Sequence, residues 1–501
     1  MVSPAREPYS TRQRIGLFLG PVIFILLLVL PAPAGMSTAA WATAAVGSLM
    51  ATWWITEAIP IPATALLPIP LFPLLDIGTV AQATAPFANP LIYLFLGGFL
   101  IAIAMQRWNL HRRIALGIID RVGTRPSSII LGFMIASAFL SMWVSNTATA
   151  LMMLPIGMSI INLSKKLPST TEAEQRELKH FGIVLVLSIA YACNVGGLGT
   201  LIGTPPNALL AAFVLENYGL EIGFAQWMVL GVPLVVIGIA AAYFVLTRLS
   251  FPLHLPELPG GHDIIHAERE KLGPISAEEK KVAVIFALTA VMWMCRPLLQ
   301  DYVPGLSDAG IAVAAGLLLF VVPVDLSRGK FLLDWDDARK LPWGILVLFG
   351  GGLSLASAVT RSGFDAYIGM LVTGFEAWPT LLLLALCIVI ILLLTEMTSN
   401  TATAAAFLPI LAAAALGIGE NPLLFAVPAA LAASCAFMLP VATPPNAIVY
   451  GSKLLTIPVM VRAGLWLNVV FVGLIMTAAY LVMPAVFGIE PGVLPAWAPA
   501  R

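Results

Sequence analysis

The chain has 501 residues, of which 59% are hydrophobic and 10% charged, with a mean hydropathy of +0.95 and a formal net charge of zero. That composition excludes an ordinary soluble domain, and the balance of 26 basic against 26 acidic residues gives no electrostatic reason to expect nucleic acid as a partner. Apolar windows of about 20 residues, enough to cross a bilayer core of ~30 Å, recur from residue 16 to residue 487, so the chain reads as a polytopic protein of a lipid bilayer.

At the N-terminus Arg6, Arg12 and Arg14 precede an apolar stretch from Ile15 to Leu30, followed by Ala32-Pro33-Ala34. A secretory signal has this order. The prolines crowding the supposed cleavage site and the basic anchor favour instead an uncleaved first span with its N-terminus in the cytoplasm. Crossings are expected near residues 16–31, 40–57, 60–76 and 91–107. Residues 107–125 are charged and read as an interfacial amphipathic helix or a plain surface loop. Residues 127–163 carry Ser145-Asn146-Thr147 at their middle and read as a re-entrant hairpin, entering and leaving on one side. The next crossing, 180–216, is broken at Thr204-Pro205-Pro206-Asn207, and 226–247 follows. The polar stretch 250–280, with His262, Asp263, Glu268, Arg269, Glu270 and Lys271, reads as a cytoplasmic linker.

The order then repeats. Crossings at 281–299, 309–325 and 343–360 lead to a second charged stretch, 361–378, with the same two readings as the first. A second hairpin over 380–417 has Ser399-Asn400-Thr401 at its middle, a crossing over 422–452 is broken at Thr443-Pro444-Pro445-Asn446, and a last crossing covers 465–487. Leu94-Phe95-Leu96-Gly97-Gly98 matches Leu348-Phe349-Gly350-Gly351-Gly352, and Pro155 corresponds to Pro409. The expected fold is therefore an all-α polytopic membrane protein of 11 transmembrane helices and two re-entrant helical hairpins. An odd number of crossings separates the two units, which makes the repeat inverted, with the first hairpin opening from the cytoplasm, the second from outside, and both tips near the midplane. With the N-terminus inside, Arg107, Arg112, Arg113, Arg121, Arg125, Lys165, Lys166, Arg176, Lys179, Arg248, Lys280, Lys281, Arg328, Lys330, Arg339, Lys340, Lys453 and Arg462 all fall inside. Arg361 and Arg501 fall outside, and Arg296 lies near an outer end. That asymmetry obeys the positive-inside rule. The cell inner (plasma) membrane is the expected location, with the C-terminus outside.

The divisions expected are 1–126 (N-terminal helices and interfacial helix), 127–247 (first hairpin, broken helix and the helix after it), 248–280 (linker), 281–379 (second set of helices), 380–487 (second hairpin, broken helix and last helix) and 488–501 (tail).

Backbone broken at membrane depth is tolerated where it lines a cavity or is buried in protein, and paired interruptions in corresponding halves point to a transporter's binding site. Tandem prolines remove two N–H donors and forbid helix through the preceding residue, which leaves carbonyls free. The second arm of each hairpin begins at Ser-Asn-Thr, so its open N–H groups favour an anion. Carbonyl, hydroxyl and amide oxygens suit a small hard cation such as Na+. No arginine or lysine lies in the four motif segments. If the cation supplies the missing positive charge, the anion binds well only after the cation has entered, and a charge pair at ~4 Å is worth ~4 kcal/mol at an effective dielectric of ~20.

On these paired Ser-Asn-Thr and Thr-Pro-Pro-Asn motifs the chain resembles the divalent anion/sodium symporter family, the INDY-type dicarboxylate transporters, over about residues 40–487. By position, the resemblance implies one sodium site at Ser141, Ser145, Asn146 and the carbonyl of Gly203, and a second at Thr395, Thr398, Asn400 and the carbonyl of Ala442. It further implies that Asn146, Thr147, Thr204, Pro205, Ser399, Asn400, Thr401, Thr443 and Pro444 surround the carboxylates of a small dianionic substrate. A homodimer with a scaffold and a moving, elevator-like transport domain is implied as well.

Three function classes compete. A sodium-driven symporter of small dianions leads, with C4-dicarboxylates (succinate, malate, fumarate) ahead of sulfate and citrate also open. A dicarboxylate exchanger of the same fold is opposed by the retained hydroxyl and amide ligands. A membrane enzyme has no nucleophile, metal set or nucleotide motif to support it. The Gly196, Gly197, Gly199 and Gly203 cluster lacks the Gly-Lys-Ser ending of a phosphate loop and reads as close packing. His111, His180, His254, His262 and His266 lie in expected inner loops, and Cys193, Cys295, Cys387 and Cys435 read as small buried hydrophobes. Glu57 beside Trp53 and Trp54 reads as an inner-interface residue. Glu396, ionisable at membrane depth, is either a proton site or a brace, and its first-repeat counterpart Met142 favours the brace.

Overall fold

Proline and small polar residues, rather than charge, divide this chain into its helices. The computed structural model describes residues 9–123, 125–164, 172–253, 261–375 and 377–498. Arg6, Lys165, Lys166, His254, positions 254–260 of the expected linker and Arg501 lie outside the described residues.

Helix α1 (Thr11–Val29) starts under a reciprocal cap, Ser10 accepting from the Gln13 N–H and the Gln13 side chain from the Ser10 N–H. It packs on α2 (Thr38–Thr56), which stops where Glu57 turns left-handed at φ 53°. The crossing expected over 60–76 is not one helix. Proline at 60, 62, 68, 70 and 73 cuts it into α3 (Ile61–Thr64) and α4 (Pro68–Leu74). After α5 (Val80–Thr84) come α6 (Pro90–Arg107) and the charged helix α7 (Leu110–Val122), which buries Leu110, His111, Ala115, Leu116 and Ile119. The first hairpin is α8 (Pro126–Ser141) and α9 (Asn146–Ser164), and the first broken crossing is α10 (Glu172–Gly197) and α11 (Pro205–Tyr218), followed by α12 (Phe224–Phe244).

The described part of the expected linker is structured. Helix α13 (Gly261–Glu270) docks on α7 through Arg112–Glu268 at 3.1 Å and Arg269–Asp120 at 2.5 Å, while Arg113 reaches Glu279 at 3.0 Å in the first turn of α14 (Ala277–Leu299). Helix α15 (Asp308–Val321) ends short of the expected residue 325. Pro323 starts a strand there, β1 (Pro323–Asp325), paired antiparallel with β2 (Lys330–Phe331), and among the described residues this small ribbon is the only sheet. Helices α16 (Trp335–Ala338), α17 (Trp343–Ser362) and α18 (Phe364–Val372) lead to the second hairpin, α19 (Thr380–Thr395) and α20 (Asn400–Gly417). The second broken crossing is α21 (Pro422–Ala433) and α22 (Pro444–Tyr450), and the chain closes with α23 (Ile457–Leu481) and α24 (Met483–Phe487).

Among the described residues, 8 helices are long and apolar enough to cross a membrane, one of them the α20 arm of the second hairpin. The other expected crossings fall on helices that proline breaks or shortens, and on α2, which is long enough but rich in Ala, Thr and Trp. The repeated glycine phrases act alike in the two halves. A Cβ at Gly97 would stand 2.4 Å from the Ala312 backbone, and one at Gly351 would stand 2.1 Å from the Ala65 carbonyl. Each glycine thus lets a helix of the other half cross at backbone distance.

Candidate functional site

Each hairpin turns at the same two polar positions. Ser141 ends α8 and Thr395 ends α19, both fully buried, and each hydroxyl lies between two oxygens. The Ser141 Oγ is 2.5 Å from Asn146 Oδ1 and 2.7 Å from the Cys193 carbonyl. The Thr395 Oγ1 is 2.7 Å from Asn400 Oδ1 and 2.7 Å from the Ala433 carbonyl. A hydroxyl has one proton to give. Both clusters therefore hold more acceptor capacity than donors, which is the chemistry of a hard-cation ligand set.

The broken helices are held open by the last residue of the Thr-Pro-Pro-Asn motif. Asn207 Nδ2 donates to the carbonyls of Gly197 at 3.1 Å and Thr200 at 2.8 Å, and Asn446 Nδ2 to those of Ala436 at 3.1 Å and Leu439 at 3.0 Å. Each amide folds the unwound segment back on itself, satisfying carbonyls left without helical partners where the helix is broken. Asn194 of α10 ties the halves together, donating to Ala436 O at 3.1 Å and lying 3.1 Å from Thr443 Oγ1. Asn207 and Asn446 were visible as motif letters, but their role was not, because it depends on carbonyls seven to ten residues upstream folding back onto them.

The two unwound segments are otherwise stabilised differently. In the first, a Cβ at Gly196 would stand 2.3 Å from Ala138 O and one at Gly203 2.5 Å from Gly197 O, so these glycines serve close packing as expected. Trp227 Nε1 caps Leu198 O at 3.0 Å, and Thr200 Oγ1 donates to Met142 O at 2.5 Å. The second segment, Ser434 to Ala442, has no glycine. There Glu396, 2% exposed, accepts the N–H groups of Phe437 at 2.8 Å, Met438 at 3.0 Å and Leu439 at 3.0 Å, and the Asn468 amide at 2.9 Å.

All four motif segments meet at one cavity of about 870 Å³. Asn146, Thr147, Thr204, Pro205, Ser399, Asn400, Thr401, Thr443 and Pro444 line it, as do Ser145, Gly203 and Ala442. Ser141, Thr395 and Thr398 do not reach the lining. The first two stand directly behind it through Asn146 and Asn400, while the Thr398 hydroxyl is turned into the hairpin, 2.8 Å from Leu394 O and 2.6 Å from Thr403 Oγ1. Thr398 has no hydroxyl counterpart in the first repeat, where Val144 stands at its position.

The facing wall is apolar and comes from α6 and α17, with Phe95, Phe99, Ile345 and Leu348. Phe95 and Leu348 belong to the repeated glycine phrases, whereas Phe99 and Ile345 stood out only as parts of apolar helices. At the mouth sit Glu57, Gln106 and Lys340, and Lys340 is 2.8 Å from Asp337. Glu57 thus lines the cavity as well as standing at the end of α2. Arg12 bonds the Met397 carbonyl at 2.7 Å and Glu57 at 3.2 Å, whereas Trp143 stacks with Phe224 and Trp293, and Phe286 meets it edge-on. The four cysteines are free, Cys193 and Cys435 buried.

Residues 12–488 match the family described as the sodium:sulfate symporter transmembrane region. Sodium-dependent dicarboxylate transporters named SdcS, from Staphylococcus aureus strains MRSA252 and USA300, are 44% identical over 492 residues, 97% of this chain and 94% of theirs. Among solved structures, the Alcanivorax borkumensis YdaH transporter superposes with a TM-score of 0.56 at 13% identity, covering 82% of this chain and 87% of its own. Neisseria gonorrhoeae MtrF does so with 0.56 at 13%, covering 94% and 95%. At that identity the likeness concerns the fold.

Proposed function

The chain belongs to the sodium:sulfate symporter family, and from that membership we propose that it is a sodium-coupled symporter that carries small dicarboxylates, C4 acids first, across its membrane. The observation that carries this reading is the single cavity where both hairpins and both broken helices meet. The 44% identity to sodium-dependent dicarboxylate transporters over 97% of the chain supports the substrate class. It is a transporter rather than an enzyme.

Sodium ions are cosubstrates in this reading. Ser141, Asn146, Ser145 and the Gly203 carbonyl would hold one, and Thr395, Asn400, the Ala442 carbonyl and Thr398 through its own carbonyl would hold the other. The side faces of the same asparagines, with Thr147, Thr401, Thr204, Thr443, Ser399, Pro205 and Pro444, would meet the carboxylates. The first turns of α9 and α20 bring open N–H groups to that place. No fixed cation lies in the motif segments, so an ion in place raises the affinity for the dianion, and an empty site stays neutral.

The mouth of the cavity lies at the end that carries Arg12, Arg107 and Lys340. By the positive-inside rule that end is cytoplasmic, which makes this conformation inward-open. A homodimer with α1–α6 and α14–α17 as scaffold, linked through α7 and α18 to the moving hairpins and broken helices, completes the proposal.

The test is uptake of labelled succinate, malate, fumarate, citrate and sulfate into proteoliposomes with and without a sodium gradient. Sodium-driven accumulation of the C4 acids is expected. Accumulation of sulfate alone would overturn the substrate class, and uptake indifferent to sodium yet raised by internal succinate would replace symport by exchange.

A further inference from the structure

Two oxygen clusters related by the repeat should bind a cation alike unless their surroundings differ, and here they do. The first hairpin turn, Met142 to Asn146, and the segment Gly196 to Asn207 contain no ionisable side chain. The second has Glu396, next in sequence to Thr395 and bonded across the loop that ends at Ala442. All of its polar partners are donors, three backbone N–H groups and the Asn468 amide. Together they bring N–H donors to both of its oxygens, a set that matches the acceptors of a carboxylate. Among the described residues no ion pair reaches Glu396. Arg12, which bonds the Met397 carbonyl, is paired with Glu57 at 3.2 Å, and Lys340 at the mouth is paired with Asp337 at 2.8 Å. Buried charges act through a low dielectric and are screened little by salt.

We propose that Glu396 is a positioning residue for the second cation site, fixing the loop that bears the Ala442 carbonyl and adding a buried negative charge that makes this site fill at lower sodium than the first. The inference rests on the reading of the two clusters as sodium sites. It assigns an order: the Thr395–Asn400 site loads first, and the Ser141–Asn146 site follows. Met142, the first-repeat counterpart, gives its loop only a carbonyl, to Thr200. That loop is shaped by glycine and Trp227 instead and gains no charge.

The test uses the full chain in detergent, with sodium replacing choline at constant ionic strength, and reads the rise in melting temperature. Ser141→Ala leaves the second site alone and Thr395→Ala leaves the first. The sodium midpoint of Ser141→Ala is expected to be lower, and equal or reversed midpoints would overturn the order. Glu396→Gln, which keeps the shape and removes the charge, should raise the sodium midpoint about tenfold while the succinate KM at saturating sodium in proteoliposomes stays near that of the wild type. Glu396→Asp should restore the midpoint. A uniform drop in melting temperature with an unmoved midpoint would reduce Glu396 to a brace and sink its charge role. Should Glu396→Gln fail to fold, the two single-site variants still decide the order. A wild-type protein whose melting temperature and uptake both ignore sodium would refute the sodium sites themselves, a different failure from either of these.

Discussion

Asn146 and Asn400 stand where two tasks meet, each with its amide oxygen against a buried hydroxyl and its side chain on the cavity wall. On the proposed reading, replacing either by alanine removes a cation ligand and a substrate contact together. Asn146→Ala and Asn400→Ala should each cut sodium-driven uptake by about tenfold or more, since losing one buried polar contact costs ~1–3 kcal/mol, and should weaken sodium and succinate dependence together. The membrane-inserted yield should persist. Normal uptake with normal sodium dependence in either variant would remove that motif from the site. These residues were legible because the motif recurs in register. Glu396 was legible as a brace from its lack of a counterpart, but its donors on Phe437, Met438 and Leu439 were not, since they lie more than forty residues away in sequence.

The hairpins are the elements whose orientation carries the mechanism, because opposite entry is what lets one site serve two sides. In a chain freed of Cys193, Cys295, Cys387 and Cys435, a cysteine at Arg125, at the foot of α8, should react with an impermeant maleimide from the cytoplasmic side only. One at Trp378, before α19, should react from outside only. Labelling of both from one face would refute the inverted repeat. Hairpin limits and the central break could be read from composition, whereas for 107–125 and 361–378 it left helix and loop both open, and the structure shows the helices α7 and α18 there. The partners of the tips could not be read from it: the second meets Arg12 while the first sits in an aromatic cluster on α12 and α14, and no local pattern records contacts so distant in sequence.

At the scale of the molecule, charge balance governs transport. A site built without arginine or lysine neutralises a dianion with cations; two sodium ions would make the cycle electroneutral, and a third electrogenic. The family resemblance favours more than two. An inside-negative potential, clamped with potassium and valinomycin, should therefore accelerate sodium-driven succinate uptake, with a Hill coefficient for sodium above one. The measurement belongs at about pH 7.5, where a carboxylic acid of pKa ~4–5 is ionised. A rate that ignores the potential while remaining sodium-driven would fix the stoichiometry at two.

The sequence by itself determined that this is a helical membrane transporter with a duplicated site, because hydropathy, proline and small polar residues act locally and a repeated motif needs no coordinates to be seen. It also overran the structure in places: the span over 60–76 is two short helices, the end of 309–325 is a strand, and the linker's described part is a docked helix. There the outcome turned on proline chemistry and on ion pairs with α7. Only the tertiary structure decided that Phe95, Phe99, Ile345 and Leu348 wall the cavity, and that Glu57 and Lys340 guard its mouth. It also placed a buried carboxyl group, Glu396, beside one of the two oxygen clusters, with Met142 at the matching position of the other. Such features come from helices distant in the chain meeting side by side, and the free energy that selects them is the packing of whole faces rather than the preference of any segment.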